Sequence, residues 1–240
     1  MYGDLTVGTA PIRLRYRVFV ITGLGLLVLS VVVPPVSERW LAAVGVWIAV
    51  VGYARYRLGQ NHVSGAEAPE ERLGAANAVT LTRGWLLALV AGVVTSASPG
   101  VSAAILACAV LLDAVDGAIA RRTRETVLGA RLDGATDALT LLVGSTAATV
   151  IGALPAWYVL AGLVWYGYSA ALWARQRAGG EVYGLPESRL RPLVGSGQFL
   201  LVVAALWPAL VVPDPVTALA LAALLASFGR DLAAATGRLG

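Results

Sequence analysis

The chain alternates between long apolar runs and short polar or Pro/Gly-rich connections, and this alternation constrains its fold more than any other feature. A helix needs roughly 20 mostly apolar residues to cross the hydrocarbon core of a bilayer, and somewhat fewer suffice when its ends snorkel. The sequence predicts an all-α, polytopic membrane protein with about eight transmembrane helices. The predicted spans are approximately 18–33, 40–56, 77–95, 101–121, 133–151, 156–174, 195–212 and 215–229.

Composition supports several spans and not a single anchor. Hydrophobic residues make up 58% of the 240 residues and charged residues only 13%, whereas a soluble domain carries about 25% charged residues. The deficit extends along the whole chain. The first apolar run ends in Pro34-Pro35 without a small-residue cleavage site, so we interpret it as a retained span and not a signal peptide.

The arginines indicate how the spans are oriented. All 18 basic residues are arginine. If the N-terminus is cytoplasmic, every arginine except Arg39 falls at a predicted cytoplasmic end or loop. This asymmetry is what the positive-inside rule predicts for a multi-pass protein of the cell membrane. The net charge of +4 is therefore explained by topology, and we expect no nucleic-acid partner.

The residues that most often carry out catalysis are scarce. Cys108 is the only cysteine and His62 the only histidine. A disulfide framework, a zinc knuckle, a Ser-His-Asp triad and a multi-histidine metal site are therefore not expected. The chemistry must depend on carboxylates, hydroxyls and arginines.

Four aspartates lie inside predicted spans, at positions 113, 116, 133 and 137. An aspartate at the centre of a transmembrane helix costs about 2.5–3.5 kcal/mol on insertion scales, so intramembrane carboxylates indicate function. Asp113 and Asp116 are spaced i,i+3, and Asp133 and Asp137 are spaced i,i+4, so each pair shares one helix face. The short connection between the two helices predicts a hairpin whose acidic faces meet near the cytoplasmic side.

Clustered carboxylates raise one another's pKa unless cations hold them. A ligand set of oxygens alone suits Mg²⁺, Mn²⁺ or Ca²⁺ better than zinc, and a site for two metal ions is the simplest interpretation. The alternatives are hydrogen bonding between helices and a divalent-cation transporter, because aspartate clusters also line ion pathways. A transporter would need acids near the midplane, whereas these lie toward one face beside Gly117 and Arg121.

The spacing Asp113-x-x-Asp116-Gly117-x-x-Ala120-Arg121, followed by Gly129-x-x-x-Asp133-x-x-x-Asp137, resembles the signature of the CDP-alcohol phosphotransferase (CDP-alcohol phosphatidyltransferase) family. Seven residues separate Arg121 from Gly129, where the family usually has eight or nine. Upstream, Asn77-x-x-Thr80-x-x-Arg83 resembles the start of the family's first core helix.

The resemblance covers residues 77–229 and implies a six-helix catalytic core. The predicted organisation is an N-terminal transmembrane pair (1–60), a cytoplasmic linker (61–76), the core (77–230) and a cytoplasmic tail (231–240). Homodimerisation is expected from the resemblance alone.

The implied reaction transfers a phosphatidyl-type group from a CDP-linked lipid to a polar alcohol, with release of CMP. The resemblance implies that Asp113, Asp116 and Asp133 hold two Mg²⁺ or Mn²⁺ ions. It implies that Asp137 completes the second metal's ligands and is the general base for the acceptor hydroxyl. The active site would face the cytoplasm.

The substrate contacts fall into two predicted groups. Arg189 and Arg191 are candidates for binding a phosphorylated acceptor such as inositol phosphate or glycerol phosphate, although the positive-inside rule alone also accounts for them. The expected contacts with the CDP moiety are Asn77, Thr80, Gly117, Ala120, Arg121, Thr126 and Gly129.

Overall fold

A computed structural model describes residues 12–32, 38–63, 70–96, 98–122 and 126–238. The side chains of residues 12, 16 and 116–122 lie outside this description, as does the predicted turn at Pro34-Pro35.

The described part of the protein is all-helical, with 80% of its residues in helices. Within the described ranges the only bridge of the β type joins Val63 to Thr126. Two short 3-10 turns cover Leu58–Gln60 and Ala156–Tyr158. The α-helices, in chain order, are α1 (Ile12–Val32), α2 (Glu38–Tyr56), α3 (Ala75–Val93), α4 (Pro99–Arg122), α5 (Val127–Val150), α6 (Val159–Arg177), α7 (Leu190–Leu206) and α8 (Asp214–Ala235).

The helices agree with the predicted apolar runs in number and order. In the described part of the chain, three combine the length and the apolar composition needed to cross a membrane: Arg13–Val32 within α1, all of α3 and all of α8. Leu190–Leu206 is apolar but shorter, and so is Pro99–Val115, the part of α4 whose side chains the structure describes. Several apolar helices in one chain are typical of a membrane protein.

Several helices are longer than their predicted spans, and α1, α5 and α8 differ most. α5 begins at Val127 instead of Asp133, because Thr126 caps it by accepting a hydrogen bond from the Gly129 amide at 3.0 Å. α8 continues to Ala235, beyond the predicted end at residue 229. Hydropathy marks the apolar part of a helix and does not detect a polar turn that extends it.

α3 lies at the centre of the bundle, packed against α2, α4 and α5. α5 also packs on α6 and α7, and α8 packs on α6 and α7. The close approach of α5 and α6 requires Gly162, where an added Cβ would lie 2.4 Å from the Leu142 Cα. Because α3 is packed among other helices, its Asn77, Thr80 and Arg83 side chains are buried.

α1 and α2 pack on one side of this arrangement. The Trp47 indole lies against Gly25, where an added Cβ would be 2.5 Å from the ring, and its Nε1 donates to the Thr22 carbonyl at 3.2 Å. Trp47 is 2% exposed. The N-terminal helix pair is thus held by tight packing of a large aromatic side chain.

The polar segment before α3 is fixed to the bundle where it is described. The Asn61 side-chain amide donates to the carbonyls of Glu70, at 3.2 Å, and Arg72, at 2.9 Å. The Val127 amide donates to the His62 carbonyl at 2.9 Å. The first two bonds close the polar segment on itself, and the third attaches it to the start of α5.

Candidate active site

Three of the four predicted aspartates converge between α4 and α5. Asp113 comes from α4, and Asp133 and Asp137 come from the second and third turns of α5. One carboxylate oxygen from each can be chosen so that all three oxygens lie within 4.8 Å of one another. The i,i+4 spacing places both α5 carboxylates on the face that meets α4.

The sequence analysis did not assign Arg83 to this cluster. Arg83 belongs to α3, and its side chain is completely buried. Its Nη1 lies 2.8 Å from Asp113 and 2.7 Å from Asp133, and its Nη2 lies 2.5 Å from Asp137. Its position within a predicted span was the available signal, because an intramembrane arginine requires a partner as much as an aspartate does.

The charges in this cluster do not balance. Three carboxylates face one guanidinium, so two negative charges remain if all three are ionised. Arg83 is 0% exposed, whereas the side chains of Asp113, Asp133 and Asp137 are 32%, 43% and 35% exposed. Arg83 therefore neutralises the cluster from its buried side, and the described charges of the cluster keep a negative excess. Hard oxygen ligands and a remaining charge of about two fit a divalent cation such as Mg²⁺ or Mn²⁺.

Four predicted site residues, Asp116, Gly117, Ala120 and Arg121, lie in the last turns of α4. The α4 backbone is helical through Arg122, but the side chains of this segment lie outside the described structure. The predicted roles of these residues in metal and CDP binding stay predictions.

Three of the predicted CDP contacts meet at the start of α5. The Asn77 side-chain amide donates to the Leu73 carbonyl at 2.6 Å and reaches the Thr126 hydroxyl at 3.5 Å. An added Cβ on Gly129 would lie 2.9 Å from the Asn77 Oδ1, so the missing side chain at Gly129 allows this close approach. Gly129 also precedes Asp133 by one helical turn, which places the three residues beside the carboxylates.

Asn77 and Thr80 are buried, with 3% and 2% exposure. The Thr80 hydroxyl donates to the Ala76 carbonyl at 3.1 Å. Both side chains therefore have hydrogen-bond partners within the protein, and a role for them in nucleotide binding stays a prediction.

A cavity of about 580 Å³ opens beside the carboxylates. Its lining includes Asp113 and Asp137 at one side and Arg191, near the start of α7, at another. Apolar side chains from α6, α7 and α8, among them Trp165 and Phe228, form much of the remaining wall. The cavity thus places acidic residues and a basic residue around one space.

Arg191 is held by a partner that the sequence analysis had assigned to the cytoplasmic tail. Its Nε and Nη2 donate to the two carboxylate oxygens of Asp231, in α8, at 2.7 and 2.8 Å. Asp231 is 7% exposed. Arg189, the other predicted acceptor contact, is exposed, precedes α7 and is not part of the cavity lining.

Comparison with known proteins agrees with this geometry. The family model for CDP-alcohol phosphatidyltransferase matches residues 73–228, which include α3 to α7 and most of α8. No curated protein and no solved structure matches the chain. The match covers well over half of the sequence and includes all four predicted aspartates and Arg83. The chain therefore belongs to the CDP-alcohol phosphatidyltransferase family.

Proposed function

We propose that this protein transfers a phosphatidyl group from a CDP-linked lipid to the hydroxyl of a phosphorylated polar alcohol, releasing CMP. The family supplies the reaction class, phosphatidyl transfer from a CDP-alcohol. The single observation that supports the choice of acceptor is the cavity in which Arg191 faces the same space as Asp113 and Asp137. Inositol phosphate and glycerol phosphate are two acceptors of this class.

In the proposed reaction, the acceptor hydroxyl oxygen attacks the lipid-linked phosphorus of the donor. A new P–O bond forms, the P–O bond to CMP breaks, and the hydroxyl proton passes to the Asp137 carboxylate. Asp113, Asp133 and Asp137 would hold divalent ions together with Asp116, in the two-ion arrangement that the sequence predicts. When bound, such ions neutralise the charge that develops on the leaving phosphate. Asp137 fits the role of base because it belongs to the cluster and also lines the cavity.

The proposed acceptor is phosphorylated because the cavity contains a guanidinium held in one orientation. A planar guanidinium binds phosphate through paired, charge-assisted hydrogen bonds. The positive-inside rule explains why α7 has arginine near its cytoplasmic end, but it does not require that arginine to line a cavity with the carboxylates. The apolar wall around Trp165 and Phe228 suits the part of the cavity nearer to lipid.

The proposed membrane arrangement has eight spans, a six-helix core over 77–230 and a cytoplasmic N-terminus, in a homodimer. Contacts at the arginine-bearing helix ends support this orientation. Arg13 lies 3.9 Å from Glu71, and Arg175 donates to the Thr236 carbonyl at 3.3 Å. These contacts join α1 to the segment before α3 and α6 to the end of α8, all at predicted cytoplasmic ends. The family match gives no support to the cation-transporter alternative.

The test is CMP release by the purified protein from CDP-diacylglycerol in the presence of Mg²⁺ or Mn²⁺. Inositol phosphate, glycerol phosphate, inositol and serine are supplied separately, and the lipid product is identified by mass spectrometry. We expect CMP release that requires a phosphorylated acceptor. Release that is equal with inositol and inositol phosphate would contradict the proposed acceptor class. Its absence with every acceptor and either metal would contradict the reaction itself.

A further inference from the structure

We infer that Asp231 is a positioning residue that fixes the Arg191 guanidinium toward the phosphate group of the acceptor. The inference rests on the proposed function, because it assigns Arg191 to a phosphorylated acceptor. Asp231 lies beyond the last residue matched by the family model, residue 228.

The geometry of the pair fixes the orientation of the guanidinium. Asp231 accepts from Nε and from Nη2 of Arg191, so two of the three guanidinium nitrogens are bound along one edge. Paired parallel hydrogen bonds of this kind determine the plane and the rotation of the group. Nη2 also reaches the Pro186 carbonyl at 3.4 Å. Nη1 has no hydrogen bond to any described residue and is the donor left for a ligand.

The two side chains differ in exposure in the way that this role requires. The Arg191 side chain is 37% exposed and lines the cavity, whereas the Asp231 side chain is 11% exposed and does not line it. Asp231 therefore lies behind Arg191 as seen from the cavity. A ligand in the cavity would meet the guanidinium and not the carboxylate.

α8 places Asp231 at this position through a regular stripe of residues. Leu224, Ser227 and Phe228 all line the cavity, and Asp231 follows Leu224 by seven residues and Phe228 by three. Residues with these spacings share one helix face. Tyr168 of α6 packs edge-to-face on Phe228 at a ring-centroid distance of 5.4 Å, which holds this face of α8 in place.

A salt bridge that only joined α7 to α8 would also show this pairing. The two roles differ in what the loss of Asp231 changes. A positioning role affects binding of the phosphorylated acceptor through Arg191, whereas a structural role affects the whole cavity and the stability of the fold. A double-mutant cycle between the two residues separates these effects.

The experiment measures CMP release from CDP-diacylglycerol with glycerol phosphate or inositol phosphate, whichever the wild type uses. It compares the wild type with four variants: Asp231→Asn, Asp231→Glu, Arg191→Gln and the Arg191→Gln/Asp231→Asn double variant. Glu187→Gln is the matched control, because it removes an exposed acid just before α7 that does not line the cavity. We expect Asp231→Asn to raise the acceptor KM about tenfold, since hydrogen bonds to charged groups each contribute about 1.5–3 kcal/mol. The kcat and the donor KM should stay within about twofold, as for a contact made only with the acceptor.

Asp231→Glu should recover most of the acceptor affinity, and the double variant should match Arg191→Gln alone. The double variant has no unpaired buried charge, so it also tests the idea if Asp231→Asn folds poorly. An unchanged acceptor KM in Asp231→Asn, or effects of the two substitutions that add independently, would overturn the inference and leave the proposed function intact. A wild type that uses only unphosphorylated alcohols would overturn the proposed acceptor class instead.

Discussion

The molecule has two groups of charged residues on the same cavity, and they differ in their balance of charge. The aspartate cluster sets three carboxylates against Arg83, so its described charges have a surplus of negative charge. The Arg191–Asp231 pair has one charge of each sign, and its acid is the more deeply buried member. An unbalanced cluster of carboxylates attracts a cation, whereas a balanced pair fixes the direction of its guanidinium donors. The comparison shows that charge count, more than the presence of charge, distinguishes a candidate metal site from a candidate anion contact.

The largest expected effect comes from removing one carboxylate of the cluster. Asp137→Asn should lower kcat by at least about 10³-fold, because a positioned base contributes about 10²–10⁴-fold and a metal ligand is lost as well. CMP release under saturating donor and acceptor measures this effect. Asp113→Asn should have a similar effect through metal binding alone. A monodisperse peak in size-exclusion chromatography in detergent, as for the wild type, checks that the fold is retained.

If either Asp variant released CMP at the wild-type rate, the aspartate cluster would not be part of the active site. Glu187→Gln is again the appropriate control, since it neutralises an acid that is exposed and outside the cavity.

Removal of Arg83 should affect stability in a way that depends on metal. With chelator present, Arg83→Gln leaves three neighbouring carboxylates without their buried cation, so we expect the melting temperature to fall by roughly 5 °C. Added Mg²⁺ should raise the melting temperature of Arg83→Gln more than that of the wild type, because a bound divalent ion no longer faces a fixed positive charge.

Arg131→Gln is the matched control for Arg83. Arg131 donates to the Gln60 side chain at 2.8 Å and, in the described structure, makes no ion pair or hydrogen bond with the three carboxylates. Its melting temperature should respond to Mg²⁺ as the wild type does. If Mg²⁺ shifts Arg83→Gln by no more than it shifts the wild type, Arg83 is a structural residue without influence on cation binding.

The balanced pair should give a smaller effect, limited to acceptor binding. Arg191→Gln should raise the acceptor KM by roughly 30-fold with a phosphorylated acceptor, because a charge-assisted contact with phosphate is lost. The KM for CDP-diacylglycerol should change little. Arg191→Lys should restore only part of the affinity, since an ammonium cannot reproduce the planar pairing with Asp231. If the donor KM rose as much as the acceptor KM, Arg191 would affect the binding of both substrates and not of the acceptor alone.

Arg189 should give the smallest effect. Arg189 is exposed and lies outside the cavity lining, so we expect Arg189→Gln to raise the acceptor KM by about threefold or less, through weakened long-range attraction screened by salt. Acceptor titrations at low and at physiological ionic strength measure it. An effect as large as that of Arg191→Gln would mean that the acceptor site extends beyond the cavity.

The sequence predicted the parts of the fold and site that depend on local periodicity. Apolar runs gave the all-helical class, which is confirmed, and the spacing of Asp113, Asp133 and Asp137 correctly placed the acids on facing helix surfaces. The helix ends were less accurate, because a polar turn such as the one that begins with Val127 extends a helix without adding hydropathy.

Tertiary partners could not be predicted in the same way. Arg83 was counted with the arginines at the cytoplasmic side, and Asp231 was assigned to the tail. Arg83 is 50 residues from Asp133 along the chain and Asp231 is 40 from Arg191, so only the packing of α3, α5, α7 and α8 brings the partners together. Periodicity within one helix contains no information about such pairs.

The most direct test of the central claim is a Mg²⁺ titration of CMP release from CDP-diacylglycerol with a phosphorylated acceptor, in wild type and in Asp137→Asn. The proposal predicts release that is absent in chelator, rises with Mg²⁺ to saturation in the wild type, and stays at background in the variant at every Mg²⁺ concentration. Release in chelator, or release by Asp137→Asn that reaches the wild-type rate at high Mg²⁺, would contradict a catalytic centre built on these aspartates.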